Sequence, residues 1–321
     1  MGESVVIGSC SGTFYVLDRH TGDVRWTYDV HQDSTKQTSF HGDPLILGNR
    51  VLIGTDLSCD PTGVGYLYSF DIENRTVQWK DRHSGIPTPV IEWKNLIFFG
   101  SVNDRWYAAD AGTGKTAWEY QAAGANAECG ILRAPVVIED KLYVLASDGS
   151  IHILNTQTGK LLLKIHPPSR PRTALAMYHD QVLFGGENNT IYALKPGGQP
   201  EAIARLEGMP TGRMELKGDV LWVFLDSPDH RGRLASVDIR SGKLLWTHTT
   251  EHPWSSDKPR LWKDQILAGD CEGHLSSFAS DDGRELWSEE FKGCIRSIGT
   301  SPDVLYVGVL QGPLYAFTPD K

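Results

Sequence analysis

Residues 108–118 read AADAGTGKTAW. Within them, 109–116 fall one residue short of the phosphate-binding pattern G-x-x-x-x-G-K-[ST], with Ala109 in place of the first glycine. A phosphate loop needs a strand before it and a helix after it, so that backbone N–H groups at the helix N-terminus face the anion. Here AWEYQ follows and continues as a strand. The same pattern also returns along the chain: VLDRHTGDVRW at 16–26, SFDIENRTVQW at 69–79, ILNTQTGKLLL at 153–163, SVDIRSGKLLW at 236–246 and SFASDDGRELW at 277–287, with a worn copy, ALKPGGQPEAI, at 193–203. A stretch that recurs about every forty residues is a turn of a repeat unit, not a single binding loop.

Two short β-type runs precede each copy, such as VLIGT (51–55) and LYSFD (67–71), or LIFFG (96–100) and WYAAD (106–110). They are rich in β-branched and aromatic residues and bounded by Gly, Asp, Asn and Pro. A further run, as in GDPLIL, PTPVIE and RAPVVI, opens a unit. Each unit thus offers four strands, A to D, and no sustained helical period competes. Four short antiparallel strands at this period predict an all-β fold, a β-propeller of four-stranded antiparallel blades. Residues 5–30 supply strands B, C and D, and 295–320 supply A, B and C. Eight blades are expected, two of them three-stranded; seven is the alternative, with 295–300 completing the N-terminal blade. Residues 1–321 are read as one domain. In the repeated turn, Asp18, Asp71, Asp110 and Asp238 can accept backbone N–H groups. Gly22, Gly114, Gly159, Gly242 and Gly283 can supply a positive φ. The Trp is expected to bury its face against the neighbouring blade.

The pattern A-x-D-x-x-T-G-x-x-x-W resembles the tryptophan-docking motif of the PQQ-like, quinoprotein-type propeller family, over nearly the whole chain. The resemblance implies an inter-blade packing role for the motif. For the dehydrogenases of that family it also implies pyrroloquinoline quinone, Ca²⁺ and a catalytic Asp. The chain departs from them: it is shorter, and it lacks their adjacent Cys-Cys pair and any C-x-x-C-H. No cofactor is therefore expected, and PQQ with calcium stays as the alternative the resemblance implies.

With 31 Lys and Arg against 40 Asp and Glu, the formal charge is −9, and no basic run occurs. This argues against general nucleic-acid binding. No apolar run reaches the ~20 residues of a membrane span. The start, MGESVVIGSCSG, shows no secretory leader, and the five Cys include no CxxC pair. A cytoplasmic monomer with reduced thiols is expected.

In such blades the D–A and B–C loops share one face, and the repeated C–D turns lie on the other. Starts of the A strands carry Arg133, Arg170, Arg172, Arg213, Lys258, Arg260 and Arg296, with Lys36, His41, Arg82 and His83 before the second and third. A ring of guanidinium groups at a channel mouth suits an anion; the other reading pairs each with an acidic loop residue such as Asp56, Asp104, Glu187, Asp226 or Glu272. Trp254 fits no docking motif and is either a stacking platform or a cap on the core. Cys271 and His274 have a metal-like spacing, but no recognised four-ligand set exists and no metal is expected. Long B–C segments, 55–65 and 225–233, point to a binding surface. The leading expectation is a propeller that binds an anionic small molecule or acidic partner through Arg133, Arg172, Arg213, Lys258, Arg260, Arg296 and Trp254. The second is a cyclase- or lyase-type enzyme with His41, His83 or Glu128 as acid–base group. The third is a quinone-dependent oxidoreductase.

Overall fold

The computed structural model describes residues 2–58, 60, 62–123 and 134–318. The candidates Glu128 and Arg133, together with Cys59 and Cys129, lie outside the described residues. Eight antiparallel sheets follow one another along the chain, each a meander of sequential strands. Blades 2 to 7 have four strands and span 45–84, 91–121, 136–165, 176–205, 209–250 and 260–290. Blade 1, at 4–29, has strands B, C and D; blade 8, at 295–317, has A, B and C. The fold is an all-β, eight-bladed propeller, and among the described residues the only helical element is one 3-10 turn, Val30–Gln32. The chain forms two compact units, residues 1–166 with blades 1 to 4 and residues 167–321 with blades 5 to 8.

Inside each unit the core lies between adjacent blades, which explains why B strands read as unbroken apolar runs. Successive side chains of a strand point to opposite faces. In blade 2, Val51 and Ile53 therefore pack with Phe14 and Val16 of blade 1, while Leu52 packs with Ile97 and Phe99 of blade 3. In blade 6, Leu221 and Val223 face Leu183 and Ile191 of blade 5, and Trp222 and Phe224 face Ile266 and Phe278 of blade 7. Both faces of every inner blade are buried, so both need apolar residues. Most A–B hairpins turn on two residues whose first has positive φ: Gly48, Lys94, Glu139, His179, Gly218 and Lys263. Such turns match the twist of the flanking strands.

The recurring C–D turn is built as its residues require. Asp110 Oδ1 accepts from the N–H groups of Gly112 (3.1 Å) and Thr113 (2.8 Å), and Asp18 Oδ1 from those of His20 (2.8 Å) and Thr21 (3.0 Å). Asn155 does the same in blade 4, taking Gln157 and Thr158. Gly114 adopts φ +74° and donates its N–H to the Asp110 carbonyl at 2.8 Å. It also has a second duty. A Cβ on Gly114 would lie 2.4 Å from the Trp79 ring of the preceding blade. Gly159 lies over Trp118 in the same way (2.6 Å), and Gly283 over Trp246 (2.5 Å). Trp118 then donates Nε1–H to the Thr156 carbonyl at 2.8 Å, and Trp246 to that of Ser280 at 3.2 Å. The Trp of one blade is thus clamped under the turn of the next, and Gly is the residue that leaves room for it.

Two features of the repeat are not visible in the sequence pattern. The C–D pairs of blades 1 to 7 each carry a β-bulge, which in six of them places one extra residue before the Trp position. In blade 3 Ala108 pairs with Trp118 and Ala109 with Thr116, leaving Ala117 out. The bulge re-aims strand D and so sets where the Trp points. In blade 5 Ile191 pairs with Ala204 and Tyr192 with Ala202, leaving Ile203 out. Ile203 nonetheless lies under Gly242 of the next blade, where a Cβ would come 2.3 Å from its carbonyl oxygen, so it holds the Trp position of the worn copy. Blade 2 has Arg75 in the Gly position, held at φ +57°.

Gly22 shares the positive φ of Gly114 but has open space where a Cβ would go. Gly22→Ala should lower stability by about 1 kcal/mol, the cost of left-handed backbone alone. Gly114→Ala should cost clearly more, about 2–4 kcal/mol, because Trp79 must also move. Denaturant midpoints of the two variants check this; equal losses would show that the ring contact carries no energy.

Candidate functional site

The C–D and A–B turn face is polar and self-paired. Asp140, in the blade 4 A–B turn, accepts from Lys94 Nζ at 2.7 Å and Trp93 Nε1 at 3.3 Å of blade 3. Asp219 of blade 6 accepts from Tyr178 of blade 5 at 2.8 Å. Two shallow depressions open on this face in the first unit. One, about 470 Å³, is lined by Glu3, Arg25, Asn49, Glu73 and Arg75; the other, about 580 Å³, by Arg50, Glu92, Asn95 and Asp110. Both are open and charged, unlike the enclosed apolar pockets that hold small molecules.

The loop face holds the residues singled out by the sequence. In the second unit Arg172, Arg213 and Lys258 are matched by carboxylates. Arg213 forks onto Asp257, with Nε 3.0 Å from Oδ1 and Nη2 on Oδ2. Lys258 is paired with Glu215, both largely buried. Arg172 faces Glu187 at 3.7 Å, and Arg260 donates Nε–H to the Ile298 carbonyl at 3.1 Å. Arg296 is exposed. Trp254 stacks on Phe224 at 5.7 Å and meets Phe278 edge-on at 6.0 Å. It caps the core between blades 6 and 7. Paired in this way, most of the cations are structural fasteners between segments far apart in sequence.

The histidines separate into two kinds. His83 is buried, with Tyr107 and Phe99 edge-on at 4.5 and 5.0 Å, and burial holds its pKa below the ordinary histidine value. It packs between the blade 2 and blade 3 aromatics, with Nε2 3.0 Å from Asp81 Oδ2. His152, which the sequence reading passed over, bonds Tyr120 and Ser150 (2.9 Å each), and burial lowers its pKa to about 4. His41 is partly exposed, and its Nδ1–H donates to the fully buried Asp56 at 2.7 Å. Its pKa rises to about 9, first through the Asp56 hydrogen bond and then through the influence of the Cys10 side chain.

Cys271 and Cys294 are joined in a disulfide, which corrects the expectation of reduced thiols and removes Cys271 as a metal ligand. His274 instead donates to Asp270 at 2.9 Å. Nothing in the spacing of 23 residues announced this bond; it depends on a B–C loop meeting the next D–A loop.

A family model described as "Outer membrane protein assembly factor BamB" matches residues 1–93, 63–222 and 211–320. Curated proteins of the same name are similar in sequence. The one from Yersinia pestis is 24% identical over 307 residues, covering 78% of this chain and 77% of its own length. That from Moranella endobia is 27% identical over 251 residues, with 59% and 61% covered, and that from Legionella pneumophila 26% over 163 residues, with 49% and 39% covered. The match spans less than two thirds of the latter two. Among solved structures, BamB from Moraxella catarrhalis superposes with a TM-score of 0.77 at 16% identity, covering 99% of this chain and 94% of that one. The computationally designed protein Ika8 superposes with a TM-score of 0.79 at 17% identity and the same coverage. These two likenesses concern the fold alone.

The sequence matches overturn the expectations of function, partner and location. The anionic small molecule or acidic partner at an Arg-lined mouth, and the enzymatic alternatives beside it, give way to relatives named as assembly factors. The physical reason is the pairing above: Asp257, Glu215 and Glu187 already occupy cations that were to hold the anion. The cytoplasmic location fails on the same names, which place the relatives' work in outer membrane protein assembly. The disulfide agrees, since such bonds persist in oxidising compartments. With its repeats matched from residue 1 to residue 320, the chain belongs to the PQQ-like propeller family described as outer membrane protein assembly factor BamB.

Proposed function

We propose that this chain is an outer membrane protein assembly factor that works by holding a protein partner, and that the partner is a component of the assembly machinery. The observation that carries the reading is the sequence match to the Yersinia pestis assembly factor across 78% of the chain. The structure supports a docking role through its loop face. Blade 6 raises a long B–C hairpin whose tip, Asp226 to Arg231, is largely exposed. Asp229 braces it internally, accepting from the Arg231 N–H at 3.2 Å and from Arg233 at 2.7 Å. In the first unit, Asp60 takes the Thr62 N–H and hydroxyl at 2.7 Å each. Loops that hold themselves in shape present a preorganised surface, and preorganisation reduces the entropy lost on binding.

Deleting the gene in its source organism should lower the amount of folded outer membrane protein, read by heat-modifiable migration of porin-type barrels. Restoring the wild-type chain should reverse the loss. Replacing 227–231 with Asn-Gly, a tight hairpin turn, should leave the melting temperature within about 2 °C and weaken recovery of the partner from membrane extracts at least tenfold. Unchanged outer membrane proteins in the deletion strain would overturn the assembly role. Full partner recovery by the shortened variant would move the docking surface elsewhere.

A further inference from the structure

Strand D is the outermost strand of its blade, so one side of its backbone pairs with strand C and the other is an open sheet edge. In the first unit, three of these edges are interrupted by charged or amide side chains. Strand D reads VRWTYD in blade 1, TVQWKDRHS in blade 2 and TAWEYQ in blade 3. Blade 4 differs. Its strand D, Leu161–Ile165, reads LLLKI, and Leu161, Leu162 and Leu163 are 39%, 49% and 38% exposed. Its inner side is occupied by strand C: Ile151 pairs with Ile165, His152 with Lys164, Ile153 with Leu163 and Leu154 with Leu161, and the bulge leaves Leu162 out. Lys160 and Lys164 flank the three leucines. Lys164 donates to Asp148 at 2.9 Å, whereas Lys160 is exposed and has no acidic partner among the described residues.

We propose that this edge docks one extended segment of another protein, added to blade 4 as a fifth strand, with aliphatic or aromatic residues at its centre and carboxylates at its ends. Three observations select that occupant. An open edge offers N–H and C=O groups at the spacing of a strand, so main-chain hydrogen bonds hold an added strand in place. Adjacent exposed leucines are a liability on such an edge, where charges or prolines are the usual protection, and an apolar strand laid beside them removes them from water. The flanking charges then decide between a different protein and a second copy. The antiparallel register that sets Leu162 opposite its counterpart in a second copy, and Leu161 opposite Leu163, also sets Lys160 opposite Lys164. Like charges directly opposite are destabilising, whereas opposite charges attract. A strand with Asp or Glu at its ends covers the leucines and gives Lys160 a partner. The edge lies on a different element from the 226–231 hairpin, and the proposal stands whether or not the assembly role holds.

The test uses the full chain and a fluorescein-labelled peptide, Glu-Val-Leu-Val-Phe-Val-Glu. Binding is read by fluorescence anisotropy, and melting curves confirm that each variant is folded. The wild type should bind the peptide with a Kd of about 10–100 μM. Leu162→Gln should weaken binding about tenfold, the loss expected when one leucine is no longer covered. Lys160→Glu should weaken it about threefold and should prefer the charge-reversed peptide, Lys-Val-Leu-Val-Phe-Val-Lys. N-methylation of the central amides, which removes the donors on both edges of the peptide, should abolish binding. No binding at about 1 mM, equal affinity of wild type and Leu162→Gln, or undiminished binding of the methylated peptide would overturn the proposal. Sedimentation of the wild type alone tests the other occupant. A monomer supports a different protein as the partner; a dimer that Leu162→Gln returns to monomer would assign the edge to a second copy and overturn the proposal as well.

Discussion

The contact on which the structure depends is the indole of one blade lying under the turn glycine of the next. A β-sheet with two apolar faces has no stable existence alone, and its neighbours must cover both. The clamp fixes how far and at what angle the next sheet is laid down. It needs three things at once: a ring large enough to span the gap, a turn residue without Cβ, and a bulge that aims the ring. In the first unit Trp79–Gly114 and Trp118–Gly159 meet all three, and in the second Trp246–Gly283 does. Blade 5 replaces the ring with Ile203, which lies under Gly242 and packs against an aliphatic cluster that includes Leu206, Leu221 and Val223.

Much of this fold was legible because the clamp is local and repeats. Asp, Gly and Trp at fixed offsets announce a turn, and two apolar runs before them announce strands buried on both faces. The bulge was not legible, since the omitted residue differs from blade to blade: Arg25, Gln78, Ala117, Leu162, Leu245 and Leu286. The worn copy was placed by its spacing, and its last residue, Ile203, does lie under Gly242 of the next blade, but its bulge leaves out Ile203 itself.

The site was harder to read, and the reason is long-range pairing. Arg213 at an A-strand start looked available for an anion, yet its partner Asp257 lies 44 residues on. Among the described residues, Arg172 with Glu187 and His41 with Asp56 are pairings between groups that the sequence had named. The Cys271–Cys294 bond and the His41–Asp56 pair likewise join separate loops, which no single stretch reveals. Function is also separable from fold. A motif that sets inter-blade packing occurs equally in cofactor enzymes and in assembly factors, and only the sequence match tells which branch this chain resembles.

The most direct test of the clamp is a double-mutant cycle between Trp79 and Gly114, measured by equilibrium unfolding. With Trp79→Ala in place, the ring no longer obstructs a methyl group at 114. The added loss from Gly114→Ala should then shrink to about 1 kcal/mol, giving a coupling of at least about 1 kcal/mol between the two sites. Additive losses, with Gly114→Ala as damaging in the absence of the indole as in its presence, would contradict the account.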